Sequence, residues 1–282
     1  MMKVSGFTFC RNAVRYDYPI LESIRSVLPL CDEFIVNVGR CDDGTLELIR
    51  SIPDSKIKIV ESVWDESLRK DGLIYSQQTN IALAHCQGDW AFYIQADEVV
   101  HEDDLPVLRQ SMQHHLENPA VKGLLFRYLH FVADYWSTNP WFYHRAVRII
   151  RNNGEVESCG DAVGFHFKPT QQYLQSGPKQ WLEDSGARIF HYGWVKDPQT
   201  LLEKKREQAH KHHGDNVPPE EAKALAQAAF QFEDYAILKE FGERHPSVMH
   251  ARIAASHRWG ARRNRWLNRQ FYREILRRGF RG

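Results

Sequence analysis

Cysteine is scarce in this 282-residue chain: the five residues at positions 10, 31, 41, 86 and 159 are odd in number, scattered, and never form a Cys-x-x-Cys pair. That spacing excludes a disulfide framework and a zinc knuckle, and leaves buried or idle thiols. No apolar run approaches the about 18 residues that cross a bilayer. The start "MMKVSGFTFCRNAVRYD" has none of the charged head, long apolar stretch and small-residue cleavage site of a signal peptide, so a cytosolic chain is expected. Charge of one sign is also missing, with 37 Lys and Arg against 36 Asp and Glu, and the whole-chain balance carries no mark of a nucleic-acid binder. Internal repeats and low-complexity tracts are absent, which sets solenoids aside.

What is present is the composition of a globular protein, 43% hydrophobic, 12% aromatic and 26% charged. The length suits one large α/β domain, or a core domain with an appendage. Strand-like and helix-like runs alternate from residue 3: "VSGFTF", then a helix from Ile20 through Ile24, Val27 and Leu28 with Pro19 in its first turn, then "EFIVNVG", the turn "CDDGT", a short helix "LELIRSI", and "KIKIVES". A helix "LIYSQQTNIALAHC" follows, and Gly88-Asp89 turn the chain into the strand "WAFYIQ". Such alternation predicts a mostly parallel central sheet flanked by helices. Beyond residue 104 the reading gives a helix at 105–116, strands "KGLLFRYLHFV", "HRAVRIIRN" and "ARIFHYGW", a loop-rich stretch at 154–188, and helices "PQTLLEKKREQAHKHH" and "PPEEAKALAQAAFQFEDYAILKEF".

In open parallel sheets ligands gather beyond the carboxyl ends of the strands. The polar segments "CRN", "GRCDDGT" and "QADE" all fall at those ends. The last of them sits in "DWAFYIQADEVVHEDD", where a buried strand runs straight into Gln95, Asp97 and Glu98. Carboxylates so close to a core need a partner, which a metal ion, an arginine or water can supply. Mg²⁺ and Mn²⁺ take hard oxygen ligands and sit on one or two carboxylates with phosphate oxygens and water, so Asp97 and Glu98 are candidate ligands for an ion that carries a diphosphate. Gln95, being neutral, suits a ribose hydroxyl or water, while Asp103 and Asp104 read as helix caps.

Taken together, "FTFCRNAVRYDYPILESIRSVLPLCDEFIVNVGRCDDGTLELI" and "QQTNIALAHCQGDWAFYIQADEVV" resemble the family 2 glycosyltransferases of the GT-A fold. Asp43-Gly44-Thr45, Asn80, Gly88-Asp89 and Asp97 stand at matching places, over about residues 3–104 and less closely to about 195. The family's first motif carboxylate is Gln95 here, and its nucleobase-binding Asp is Asn37 or Val38. The resemblance implies an inverting transferase of bacterial cell-envelope type, moving a sugar from a UDP- or GDP-linked donor to a glycan or glycolipid hydroxyl with Mn²⁺ or Mg²⁺. It implies a donor-binding set of Arg11, Asn12, Asn37, Asp43, Asn80, Gln95 and Asp97. The ion would rest on Asp97 and Glu98, with His191 of "RIFHYGW" as the late histidine ligand. His191 reads equally as a strand-end histidine held by a hydrogen bond. The base is expected in the acidic loop "ESCGDAVGF", as Asp161 first and Glu157 second, although a turn residue explains either. Lys204, Lys205 and Arg206 could neutralise diphosphate or form a solvated helix face. The aromatics Tyr135, Trp136, Trp141, Phe142 and Tyr143 could stack on an acceptor sugar or pack the core. "HKHH" at 210–213 reads as a chance cluster.

The domain expectation is a catalytic unit at 1–195 and a helical, Arg-rich extension at 196–282. Residues 251–282 hold ten arginines, one glutamate and no lysine among interleaved aromatics and leucines. That pattern suits an anionic membrane surface, which implies a peripheral enzyme on the cytoplasmic face; it equally suits a helix packed on the domain with arginines in solvent. A catalytically impaired, transferase-like binding module that docks lipid or protein through this tail is the alternative from another class.

Overall fold

The structure, a computed structural model, describes residues 2–227, 238–258 and 265–279. Among the described residues, thirteen strands and eight α-helices follow in chain order. The first half holds β1 (Val4–Cys10), α1 (Ile20–Val27), β2 (Glu33–Gly39), α2 (Thr45–Arg50), β3 (Ile57–Ser62), α3 (Leu73–Leu83), β4 (Trp90–Tyr93), β5 (Glu98–Val100) and α4 (Leu105–His114). The second half holds β6 (Gly123–Val132), β7 (Ser137–Thr138), β8 (Arg145–Arg151), β9 (Val156–Cys159), β10 (Gly164–Phe167), β11 (Gln172–Tyr173), β12 (Leu182–Trp194), α5 (Pro198–His213), α6 (Pro219–Gln227), β13 (Lys239–Glu240), α7 (His250–Ala254) and α8 (Arg269–Arg278).

The expected α/β arrangement is present. β3, β2, β1 and β4 lie side by side in parallel, and β8 joins β4 antiparallel before β6 continues the sheet. β12 runs parallel along β6 and pairs antiparallel with β5. β1 and β2 are interior strands and are buried almost throughout, as expected for strands covered on both faces. α1 covers one face with Ile20, Ile24 and Val27, the same spacing that marks it in the sequence.

Three departures have physical reasons. The stretch at 154–188 contains a small antiparallel sheet, β9 to β11, and β12 starts at Leu182, five residues ahead of "ARIFHYGW". Its weak periodicity reflects short, partly exposed strands. The helix expected through Phe241 does not reach it: α6 extends to Gln227, residues 228–237 lie outside the described residues, and Lys239–Glu240 pair with β7 as a strand. Asp103 and Asp104 are not side-chain caps; the imidazole of His101 accepts from the Asp103 amide, while Asp104 Oδ2 accepts from the Arg188 amide.

Candidate active site

The carboxyl ends of β1 and β4 and the loop after β3 bring Cys10, Arg11, Trp64 and Gln95 to Asp97 to one edge, as the strand order requires. A cavity of about 390 Å³ opens there, closed on the far side by Phe142, Tyr143, Asp161 and the face of α5. α5 begins where Asp197 accepts from the amides of Gln199 and Thr200 ahead of Pro198. Three of its side chains, Lys204, Gln208 and His212, recur every four residues and point into the cavity. The expected boundary at 195 therefore falls just before a helix that forms part of the cavity wall.

Asp97 is the centre of the electrostatics. Its Oδ2 accepts from Lys204 Nζ at 3.0 Å, and the same ammonium donates to the Gly193 carbonyl at 2.9 Å. Burial alone would raise the Asp97 carboxyl; Lys204 foremost, with His191 and Lys196, holds it far below the usual carboxylate range. A Cβ at Gly193 would lie 2.4 Å from Asp97 Oδ2, so only glycine lets β12 pass this close. Lys196 donates to the Asp17 carbonyl, and burial together with nearby Lys204 lowers its ammonium to about 7.

Two histidines complete this side. The sheet register aligns Glu98, His191 and His130 in one row across β5, β12 and β6. His130 Nε2 lies 2.8 Å from the Tyr143 carbonyl, which can only accept, so Nε2 carries the proton. Burial, and then His191, pushes His130 down to about 3, and burial pushes His191 down to about 4, so both rings are neutral. The bare Nδ1 of His130 then accepts from His191 Nδ1 at 3.2 Å. His191 Nε2 is left with its lone pair, 3.7 Å from Asp97 Oδ1. Two acceptors facing one another with no proton between them suit a cation. Asp97 and His191 thus fit a divalent ion that takes its remaining ligands from phosphate and water.

Glu98 does not join them. Arg148, fully buried on β8, grips it through Nε and Nη2 at 2.8 Å each, and the Tyr128 hydroxyl donates to it at 2.7 Å. The partner of this acid is an arginine, and both its oxygens are taken, which corrects the expectation of a metal ligand. Burial opposes the Arg148 charge, but Glu98, with Tyr128 and Tyr143, more than offsets it and raises that guanidinium further above its ordinary value.

Gln95 lines the cavity, and its amide donates to Tyr93 Oη at 3.4 Å and to the Ala162 carbonyl at 3.3 Å. Arg148 also donates to the neighbouring Val163 carbonyl at 3.0 Å. Immediately ahead of these two tethered residues, Asp161 reaches the cavity rim and accepts from the Val163 amide. Glu157 lies outside the cavity on β9, where His166 at 2.8 Å and Lys168 at 3.7 Å occupy its oxygens.

The remaining donor candidates divide. Arg11 lines the cavity, paired with Glu66 at 2.9 Å and lying over the Trp64 ring. Asn12 stands in the left-handed region, φ 54°, at a smaller side pocket. Asn37, Asp43 and Asn80 do not touch the cavity. Asn37 donates to Gln78 beneath α3. Asp43 takes the amides of Arg15 and Thr45 and so fixes the loop after β1. Desolvation works against its charge, but these bonds hold its carboxyl below the ordinary value. Asn80 exchanges two hydrogen bonds with the Ser158 backbone, joining α3 to β9.

Some contributors give little sign in the sequence. Phe9, Trp64 and Tyr75 form an aromatic box in the cavity with centroid separations of 5.8 to 6.1 Å. A Cβ at Gly39 would come within 2.2 Å of Trp64 Nε1, so the indole lies directly on the end of β2. Of the aromatic-rich run, Phe142 and Tyr143 face the cavity, Tyr135 packs with Tyr192 and His245, and Trp141 packs on Phe271. In "HKHH" the imidazoles diverge: His212 faces the cavity, His210 meets Arg69, and His213 pairs with Glu221. All five cysteines are free thiols. Among the described residues no helix is long and apolar enough to cross a membrane.

Solved structures with a similar course of chain include S. aureus TarS, at 16% identity and TM-score 0.46 over 79% of this chain and 41% of that one. A shorter TarS, residues 1–349 with UDP-GlcNAc, gives 15% and 0.45 over 79% and 69%. Glucosyl-3-phosphoglycerate synthase from Mycobacterium tuberculosis, with Mn²⁺, UDP and phosphoglyceric acid, gives 22% and 0.32 over 45% and 43%. The chain spans less than half the length of the longer TarS. No curated protein sequence matches it. The family model for glycosyl transferase family 2 matches residues 18–174, more than half of the sequence, and the chain belongs to that family, with a GT-A arrangement of strands.

Proposed function

We propose that the cavity binds a nucleoside-diphosphate sugar and transfers its glycosyl group, with inversion, to an acceptor hydroxyl. The observation that carries this reading is the ionised, buried Asp97, flanked by Lys204 and by the bare Nε2 of His191, in one cavity with the Asp161 carboxylate. Phe9, Trp64 and Tyr75 offer faces for a planar base, and Arg11, beside the Trp64 ring, would meet the anionic part of the donor. Asp97 and His191 would hold Mn²⁺ or Mg²⁺, whose charge stabilises a departing diphosphate as a Lewis acid. Lys204 adds a cation that the chain itself supplies.

Asp161, as base, takes the proton of the acceptor hydroxyl. The freed oxygen forms its bond to the anomeric carbon as the bond from that carbon to the diphosphate oxygen breaks, and the nucleoside diphosphate leaves with the electron pair. The aromatic wall of Phe142 and Tyr143 gives an acceptor sugar a face to rest on. An acceptor in the cell envelope, a surface polysaccharide or lipopolysaccharide core, and action at the cytoplasmic face belong to the same proposal.

The test is a panel of UDP- and GDP-sugars with Mn²⁺, read by thermal stabilisation and by slow donor hydrolysis, repeated with Asp97→Asn. Ligand at about a hundred times its Kd stabilises by about 2.7 kcal/mol, which is easily read. If no nucleotide stabilises the wild type and no donor is hydrolysed, the reading fails. The second reading, a binding module that no longer catalyses, is favoured by Gln95 standing where a carboxylate would add charge and by Lys204 already closed on Asp97. It predicts no melting shift with nucleoside diphosphate plus Mn²⁺ and no turnover of any donor in the panel, while lipid or protein docking through the basic end of the chain persists.

A further inference from the structure

The arginine-rich end of the chain is not absorbed by the cavity, and α8 divides it into two faces. Phe271, 1% exposed, seals the inner face against the Trp141 ring at 6.0 Å, and Trp141 Nε1 donates to the Gly279 carbonyl. Ile275 lies on the same side, half-buried. The outer side presents Leu276 at 88% exposure and Tyr272 at 47%, continued by Leu267 at 84% and Trp266 at 47%. Exposed Arg269, Arg273 and Arg277 are interleaved with them.

An inner anchor already in place means the outer leucines are not waiting to fold onto this domain. Charge identifies what they would meet. Residues 251–282 carry ten arginines and one glutamate, which leaves the first 250 residues with 27 basic against 35 acidic side chains. The molecule is therefore an acidic body with a basic end, and that end alone is attracted to a polyanion. Arg252 and Arg258 are paired to Asp17, Glu22 and Glu240 of the body, whereas Arg269, Arg273 and Arg277 of α8 are exposed beside the outer leucine. Two leucines exposed by more than four-fifths contribute nothing to a phosphate backbone or to base stacking, but they enter an acyl boundary favourably. A second copy of the same face would set arginine against arginine.

We propose that the outer face of α8, with Trp266 and Leu267, docks on an anionic lipid surface. The same contact would orient the enzyme. Trp141, which α8 grips, is followed in the chain by Phe142 and Tyr143 of the cavity wall, so a bilayer on α8 lies at the aromatic side of the cavity. An acceptor carried on a lipid would arrive there; this last step rests on the transfer reading above, whereas the docking does not.

The experiment is co-sedimentation of the full chain at 0.15 M salt with vesicles of phosphatidylcholine, alone or with one-third phosphatidylglycerol. Binding is expected only to the anionic vesicles. The double variant L267D/L276D is expected to bind about tenfold more weakly or worse, with its melting temperature unchanged because both side chains are exposed. R269Q/R273Q serves as a second variant that retains the apolar side chains, and is expected to weaken binding and flatten its salt dependence. No binding of the wild type to anionic vesicles overturns the proposal. So does binding that the leucine variant leaves intact, or that single-stranded RNA competes away as well from that variant as from the wild type, since either marks a general polyanion site. Nucleotide stabilisation measured on the same protein reports the transfer reading separately.

Discussion

Lys204 and Asp97, 107 residues apart, meet at 3.0 Å in the cavity with both side chains at most 10% exposed. Removing one partner of a buried pair leaves an uncompensated charge and costs about 3–5 kcal/mol. Lys204→Met is expected to lower the urea midpoint at pH 7 accordingly, and to weaken nucleoside-diphosphate binding by isothermal titration. An unchanged midpoint would mean that the ammonium contributes nothing to holding Asp97.

Because Lys204 already neutralises Asp97, the fold itself does not need a divalent ion. EDTA is expected to leave the melting temperature of the protein alone unchanged, and to abolish the added stabilisation by nucleoside diphosphate plus Mn²⁺. A fall in melting temperature with chelator and no nucleotide would contradict this.

Arg148 and Glu98 form the other buried pair, bidentate and 0% exposed on both sides. Arg148→Met alone is expected to cost about 3–5 kcal/mol, and the double variant Arg148→Met/Glu98→Leu considerably less than the two single losses combined. Chemical denaturation of the four proteins of the cycle gives the coupling directly. Additive losses would show that the pair is not the unit described.

Gln95 acts as a donor toward the Ala162 carbonyl, which a carboxylate cannot do. Gln95→Glu is expected to loosen the loop that carries Asp161, seen as faster amide exchange over residues 160–163 while β1 and β2 remain protected. The result that overturns this is unchanged exchange in that loop.

His245 lies 8% exposed among Phe131, Tyr135 and Phe241, its Nδ1 bonded to the Tyr192 hydroxyl. Burial lowers its pKa to about 4 from 6.5. With the folded value depressed, the unfolded chain binds the proton first. The contribution is therefore complete above pH 6.5 and is withdrawn as pH falls toward 4, by on the order of 3 kcal/mol. His245→Phe is expected to flatten the stability-against-pH curve between pH 6.5 and 4, measured by urea unfolding at half-unit steps.

The first hundred residues are legible because each strand and helix there keeps its own period: Ile20, Ile24 and Val27 give α1, and the apolar runs of β1, β2 and β4 give strands buried on both faces. The acidic turn after β4 also marks the cavity edge correctly. Local pattern cannot say which of two adjacent acids faces inward to an arginine 50 residues away, so Glu98 looks like a companion of Asp97. The helix α5 is legible as "PQTLLEKKREQAHKHH", but its place in the cavity wall is not, for a related reason: its buried cations Lys204 and Lys211 have their partners, Asp97 and Glu66, in distant segments, and apolar periodicity does not mark them. Trp64 sits in a loop, where only the bare backbone of Gly39 against it, visible in three dimensions, reveals its seat.

The family match ends at residue 174, yet α5 lies beyond it and supplies Lys204, Gln208 and His212 to the cavity. Trimming the gene to the homologous segment would therefore excise a wall of the very chamber it was meant to isolate. Kinship is thus written in one portion of this polypeptide, while the enclosure of its chamber is completed by another.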